Sequence, residues 1–183
     1  GWWGAVALES ARRGAELRTG DGAVPGASSG EARQTLVEAD LGLERWWGPR
    51  TSTAATGMFR DLRGDEAAIP LNEQYRLGGA RSLRGYLEDQ FHGERVAALS
   101  IELRWGHPDR SRVYTFLDLG YVRAAAADPA DATRRITSVS ELRGYGLGLT
   151  TSSAAGEVSL AIGFPGSVSF EDAKLHVALL QSF

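Results

Sequence analysis

The chain has 183 residues, a net charge of −3, 23 glycines and no cysteine. A pI near 5.7 argues against a general nucleic-acid binder, which carries a basic stripe. The absence of cysteine excludes a disulfide framework and a thiolate metal site. The length suits one domain or part of a larger one. Mean hydropathy is −0.22, and no apolar run approaches the ~18 residues of a membrane helix. A membrane-spanning sheet stays open, because only alternate residues of its strands meet lipid. The start, Gly1-Trp2-Trp3-Gly4, lacks a basic region followed by an apolar core, so no signal peptide is expected there.

In chain order, 2–17 is a first, irregular strand, followed by a polar connection over 19–33. In 35–47, Val37, Ala39, Leu41, Leu43 and Trp47 oppose Glu38, Asp40, Gly42 and Glu44, the period-two pattern of a strand with one apolar face. Gly48-Pro49-Arg50 is a tight turn into a less regular strand at 51–62, and a long connection, 63–93, follows. In 95–105, Ala97, Leu99, Ile101, Leu103 and Trp105 oppose Val96, Ala98, Ser100, Glu102 and Arg104. After a short turn at 106–111, Val113, Thr115, Leu117, Leu119 and Tyr121 oppose Tyr114, Phe116, Asp118 and Gly120. A long loop is expected over 123–140. Beyond it, in 142–151, Tyr145, Leu147 and Leu149 oppose glycines at 144, 146 and 148. A short connection, 152–156, leads to 157–164, where Val158, Leu160, Ile162 and Phe164 oppose Glu157, Ser159, Ala161 and Gly163. A moderate loop, 165–173, precedes a last strand at 174–183.

These are about eight strands, each near the ~9–11 residues that cross a bilayer at a tilt. Long and short connections alternate, as in a membrane barrel with short periplasmic turns and long outer loops. The expected fold is all-β, an antiparallel transmembrane β-barrel, with both chain ends on the short-turn side. Val158, Leu160, Ile162 and Phe164 should face lipid. Trp2, Trp3, Trp46, Trp47, Trp105, Tyr121 and Phe183 cluster near strand ends. They read either as core aromatics of a soluble β-protein or as an interfacial girdle; the loop rhythm favours the girdle.

The most specific stretch is Leu77-Gly78-Gly79-Ala80-Arg81-Ser82-Leu83-Arg84-Gly85-Tyr86. Arg84 is a planar donor fork that stays charged at ordinary pH. In a lumen it needs carboxylates, since an unpaired buried charge is costly. Glu102 and Asp118 fall on the inward faces of adjacent strands, which lie about 4.8 Å apart, so one guanidinium can reach both. Leu83-Arg84-Gly85-Tyr86 resembles the signature loop of the BamA/TamA-like outer-membrane assembly factors (the bacterial surface antigen superfamily). In that family the loop folds into the barrel lumen and its arginine meets carboxylates on the wall. The family's glutamate and its aspartate, the latter in an aromatic-x-Asp-x-Gly context, match Ser100-Ile101-Glu102-Leu103 and Phe116-Leu117-Asp118-Leu119-Gly120. Gly85 would permit a tight backbone path, and Tyr86 would pack the loop tip on the wall. The last strand resembles a terminal β-signal, with Leu175, Val177, Leu179 and Phe183 as its apolar positions and Gln181 as a departure.

The resemblance implies that 1–183 is the C-terminal half of a sixteen-stranded barrel of a Gram-negative outer membrane, with the POTRA domains and first barrel strands outside this chain. It implies insertion or translocation of proteins without covalent chemistry or cofactor. The partners would be unfolded outer-membrane clients, the lipid bilayer, and assembly-complex lipoproteins or a periplasm-spanning protein, with no nucleic acid. The family's proposed mechanism uses a weak seam between first and last strands, where an unpaired edge pairs with an incoming strand. A closed eight-stranded barrel has a lumen filled by side chains, too narrow for a loop such as 63–93. An open sheet with 2–17 and 174–183 apart is therefore expected.

The alternatives are a two-partner-type secretion pore, a barrel anchor for a fused patatin-like lipase, and a soluble β-sandwich hydrolase using Glu102 and Asp118 as an acid/base pair. The hydrolase is disfavoured because Arg84 would hold both carboxylates ionised. His92, His107 and His176 have no ligand spacing, so no metal is expected. Gly144-Tyr145-Gly146-Leu147-Gly148 sits inside a strand, not at a phosphate-binding turn; its small residues either let the strand bend or leave lumen space for the folded-back loop.

Overall fold

Residues whose side chains alternate between apolar and polar can form a sheet with two unlike faces, and the chain does this almost throughout. The computed structural model describes residues 2–14, 31–64, 69–107, 110–153, 156–166 and 169–180. Its strands are β1 (Trp2–Gly14), β2 (Glu31–Trp46), β3 (Thr51–Gly64), β4 (Tyr75–Leu77), β5 (Phe91–Gly93), β6 (Arg95–Gly106), β7 (Ser111–Asp128), β8 (Asp131–Ser153), β9 (Gly156–Pro165) and β10 (Lys174–Leu180). Eight of them make one antiparallel sheet in the order β1-β2-β3-β6-β7-β8-β9-β10, and β4 pairs only with β5. The β4–β5 excursion leaves the sheet between β3 and β6 and returns to its next position. The sheet is open: among the described residues β1 and β10 do not pair. Among the described residues no helix is long and apolar enough to cross a membrane.

The two faces follow the parity of the sequence. Leu41, Leu43, Leu99, Ile101, Leu103, Leu117, Leu147, Leu160 and Ile162 are exposed on the outer face. Val158 and Phe164 share that face but are half-buried, with Phe164 stacked on Tyr145 at 5.9 Å and edge-on to Phe170 at 5.6 Å. Polar inner-face groups are paired along the wall. Arg60 reaches Asp40 at 2.7 Å and Glu38 at 3.5 Å, Arg104 reaches Glu44 at 3.2 Å, and Arg112 reaches Glu157 at 3.2 Å. Trp46, Trp47 and Trp105 are exposed near the short turns after β2 and β6. Trp2 and Trp3 lie in β1, and Phe183 lies outside the described residues.

One expected loop is corrected. Residues 123–140 are strand rather than loop, apart from a turn at 129–130: β7 runs on to Asp128 and β8 starts at Asp131. Residues 134–141 are exposed in succession. A hairpin that meets water on both faces keeps its backbone pairing without an alternating pattern.

A charge on the outer face should be costly where the same charge on the inner face is not. Leu117→Arg, near mid-height of the apolar rows, is expected to destabilise the sheet in a bilayer by about 2–4 kcal/mol. Thr56→Arg, on the inner face, should stay near neutral. Urea titration in lipid vesicles compares the two, and equal costs would contradict this assignment of faces.

Candidate functional site: the loop seated on the sheet

The segment between β4 and β5 lies against the inner face and carries the deepest packing among the described residues. Leu77 and Leu83 are fully buried with Val96, Ala98 and Val122, flanked by Met58, Tyr75, Tyr86, Phe91 and Leu142. The sheet makes room by omitting side chains. A Cβ on Gly120 would come within 3.0 Å of Leu83, one on Gly144 within 1.8 Å of the Arg84 carbonyl oxygen, and one on Gly163 within 2.5 Å of the Gly85 nitrogen. The glycines of β8 and β9 are thus a slot for the loop backbone. Gly85 itself has φ +95°, and a Cβ there would meet the Phe164 backbone at 2.7 Å; only glycine takes that path without strain.

Within the slot Arg84 is held from four directions. Its Nε donates to Asp118 Oδ2 at 2.8 Å and its Nη2 to Asp118 Oδ1 at 2.7 Å. Nη1 donates to Glu102 Oε1 at 2.6 Å, and Nη2 also reaches Ser100 Oγ at 2.7 Å. The backbone N–H of Arg84 donates to Asp118 Oδ2 at 2.9 Å. The guanidinium lies 3.7 Å over the Phe116 ring, a favourable cation–π stack. Ser100 and Asp118 are register partners, and Glu102 stands one inner-face position along β6, so the three acceptors bracket a single fork. Arg84 is 7 % exposed and Asp118 1 %. Burial alone would lower the guanidinium's pKa, but the hydrogen bonds and charges of Asp118 and Glu102 raise it overall, so the fork stays protonated. Glu102 also accepts from Arg104 at 2.8 Å.

The tip is fastened a second time. The Gly85 N–H donates to His176 Nε2 at 2.9 Å, and His176 is buried on the inner face of β10. The Tyr86 hydroxyl donates to the Arg143 carbonyl at 3.1 Å, while its ring meets Phe91 edge-on at 5.2 Å. The loop therefore touches β6, β7, β8, β9 and β10 together. Leu175, Val177 and Leu179 of the expected β-signal are exposed on the outer face of β10, and Phe183 lies outside the described residues.

Residues 34–174, from β2 to the start of β10, match the Omp85 superfamily domain. The chain belongs to the Omp85 superfamily. No curated protein matches it. Omp85 proteins act in insertion or translocation of proteins at the outer membrane. In this Omp85 domain Asp118 and Glu102 both accept from the Arg84 guanidinium, so the arrangement holds the loop on the sheet.

Two members of the site escape the motif. Ser100 was legible only as an inward small polar residue, and His176 only as the inward residue of an apolar-outward strand. His176→Ala leaves the Gly85 N–H without its acceptor, a loss of about 1–3 kcal/mol for a buried donor. His176→Gln, which keeps an acceptor, should recover part of it. Amide exchange at Gly85 reads this directly; unchanged protection in His176→Ala would rule the contact out.

Proposed function

We propose that this sheet is the C-terminal half of a BamA/TamA-like barrel that inserts unfolded outer-membrane proteins into the Gram-negative outer membrane. The barrel strands that complete the lumen, and the POTRA domains, would be supplied by the rest of the parent protein. The observation that carries this is the seating of Arg84 on Asp118 and Glu102 against the inner face of a sheet whose end strands, β1 and β10, do not pair with each other among the described residues. The seated loop covers part of the inner face. The edge of β10, unpaired among the described residues, would offer N–H and C=O groups to an arriving strand. Leu83, Arg84, Gly85 and Tyr86 act as the lumenal anchor, with Glu102 and Asp118 as wall partners. Leu175, Val177, Leu179 and Phe183 form the terminal signal. The long connections face outward and the short turns face the periplasm, where lipoproteins or a spanning partner would dock. No cofactor is needed.

The test is reconstitution of the full-length parent in vesicles with a urea-unfolded porin as client. Faster membrane folding of the porin than in protein-free vesicles is the expected result. Passage of a hydrophilic polypeptide into the vesicle lumen, with no gain in porin folding, would instead identify a secretion pore. Neither activity would point to a passive anchor.

A further inference from the structure

On the outer face the apolar rows end in charge. Asp61, Arg95 and Arg123 are register partners on β3, β6 and β7. They lie one outer-face step beyond Phe59, Ala97 and Tyr121, in the half of the sheet away from the turns that follow β2 and β6. Together with Arg63, Glu94 and Arg135 they line a cavity of about 470 Å³. Four arginines thus face two carboxylates, and the carboxylates are the buried partners, at 3 % exposure each. Asp61 accepts from Arg63 at 2.8 Å and from Arg95 at 3.0 Å, and Glu94 accepts from Arg135. Arg123 has no ion pair among the described residues, and the buried Oε1 of Glu94 has no hydrogen-bond partner there. Arg63 is mostly exposed. A purely structural ion-pair network would close its own charges; this one leaves positive charge and an unused acceptor at one place.

We propose that this cluster binds the phosphate groups of an outer-leaflet phosphorylated glycolipid whose acyl chains lie along Phe59, Ala97, Leu99 and Leu119. The assignment rests on the orientation given under the proposed function, with long connections outward. The face decides the source of the phosphate: the arginines continue the lipid-facing rows, not the inner wall. Height agrees. At ~3.4 Å per residue and ~40° tilt, Arg95 stands roughly 25 Å above Trp105, the height of the apolar band of a membrane barrel. Guanidinium forks match phosphate oxygens in bidentate geometry, and the free Glu94 oxygen can accept a sugar hydroxyl.

The test uses the full-length protein in nanodiscs of phosphatidylcholine with a minor share of lipopolysaccharide. Native mass spectrometry counts the glycolipid retained as bulk lipid is stripped. Wild type is expected to retain it, and Arg63→Gln with Arg123→Gln to lose retention by roughly tenfold or more. These substitutions leave Asp61 with Arg95 and Glu94 with Arg135, and heat-modifiable gel mobility confirms folding. Dephosphorylated glycolipid should not be retained, and millimolar inorganic phosphate should not displace the intact lipid. Equal retention by the variant, retention of the dephosphorylated lipid, or displacement by free phosphate would each overturn the proposal. Orientation is read separately by labelling Arg63→Cys with an impermeant maleimide on intact cells. Labelling from outside supports it; labelling only after permeabilisation overturns the orientation and the lipid site with it.

Discussion

Arg84→Ala in the full-length protein is expected to release the loop while the strands stay formed. The substitution removes the side-chain donors that Asp118 and Glu102 share, leaving Asp118 buried at 1 % exposure with little besides the backbone N–H of residue 84. Breaking one side of a buried pair costs about 3–5 kcal/mol. Water in the lumen places the loss toward the low end. Ordering the segment costs roughly 1–2 kcal/mol per fixed residue, so the seat cannot survive the loss of its strongest contact. Arg84→Lys should recover only part, since an ammonium cannot span Asp118, Glu102 and Ser100 as a fork does. Protease accessibility of the loop in intact cells, with client insertion measured alongside, checks this. If Arg84→Ala changes neither, the anchor role is wrong.

Gly144→Val should have an effect as large with every charge in place. A Cβ at 144 would stand 1.8 Å from the Arg84 carbonyl oxygen. The Cβ position is fixed by the backbone and the atom it meets is a backbone oxygen, so no rotamer relieves the clash, and the loop tip must lift and break the Arg84 contacts together. Gly57→Ala is the control: on the outer face its Cβ meets nothing closer than 3.8 Å, and alanine in a strand costs no more than glycine. Loop release in Gly144→Val with none in Gly57→Ala is the expected pair of results. A protected loop in Gly144→Val would show that the slot has been misplaced.

The parts of this fold that were legible in the sequence are those where lipid and lumen meet the same strand. β6 and β7 alternate because Leu99, Ile101, Leu117 and Leu119 face outward while Ser100, Glu102 and Asp118 face inward, so both their register faces and their carboxylates could be read in advance. The β7–β8 hairpin was missed because the alternation ends where both faces are solvated; Asp128-Pro129-Ala130-Asp131 was the surviving turn signal. β4 and β5 are three residues each, too short for any period to register. The His176 contact was invisible for a different reason. Its partner is a backbone N–H 91 positions away, and side-chain patterns carry no information about which amide a buried imidazole will meet.

Hydrogen–deuterium exchange of the peptide 82–87 in the full-length protein, in a bilayer, tests the seated loop most directly. The amides of Arg84 and Gly85 donate to Asp118 and His176, so this peptide should exchange as slowly as β6 and β7 and become fast in Arg84→Ala. Exchange in the wild type as rapid as that of an exposed loop would contradict the account.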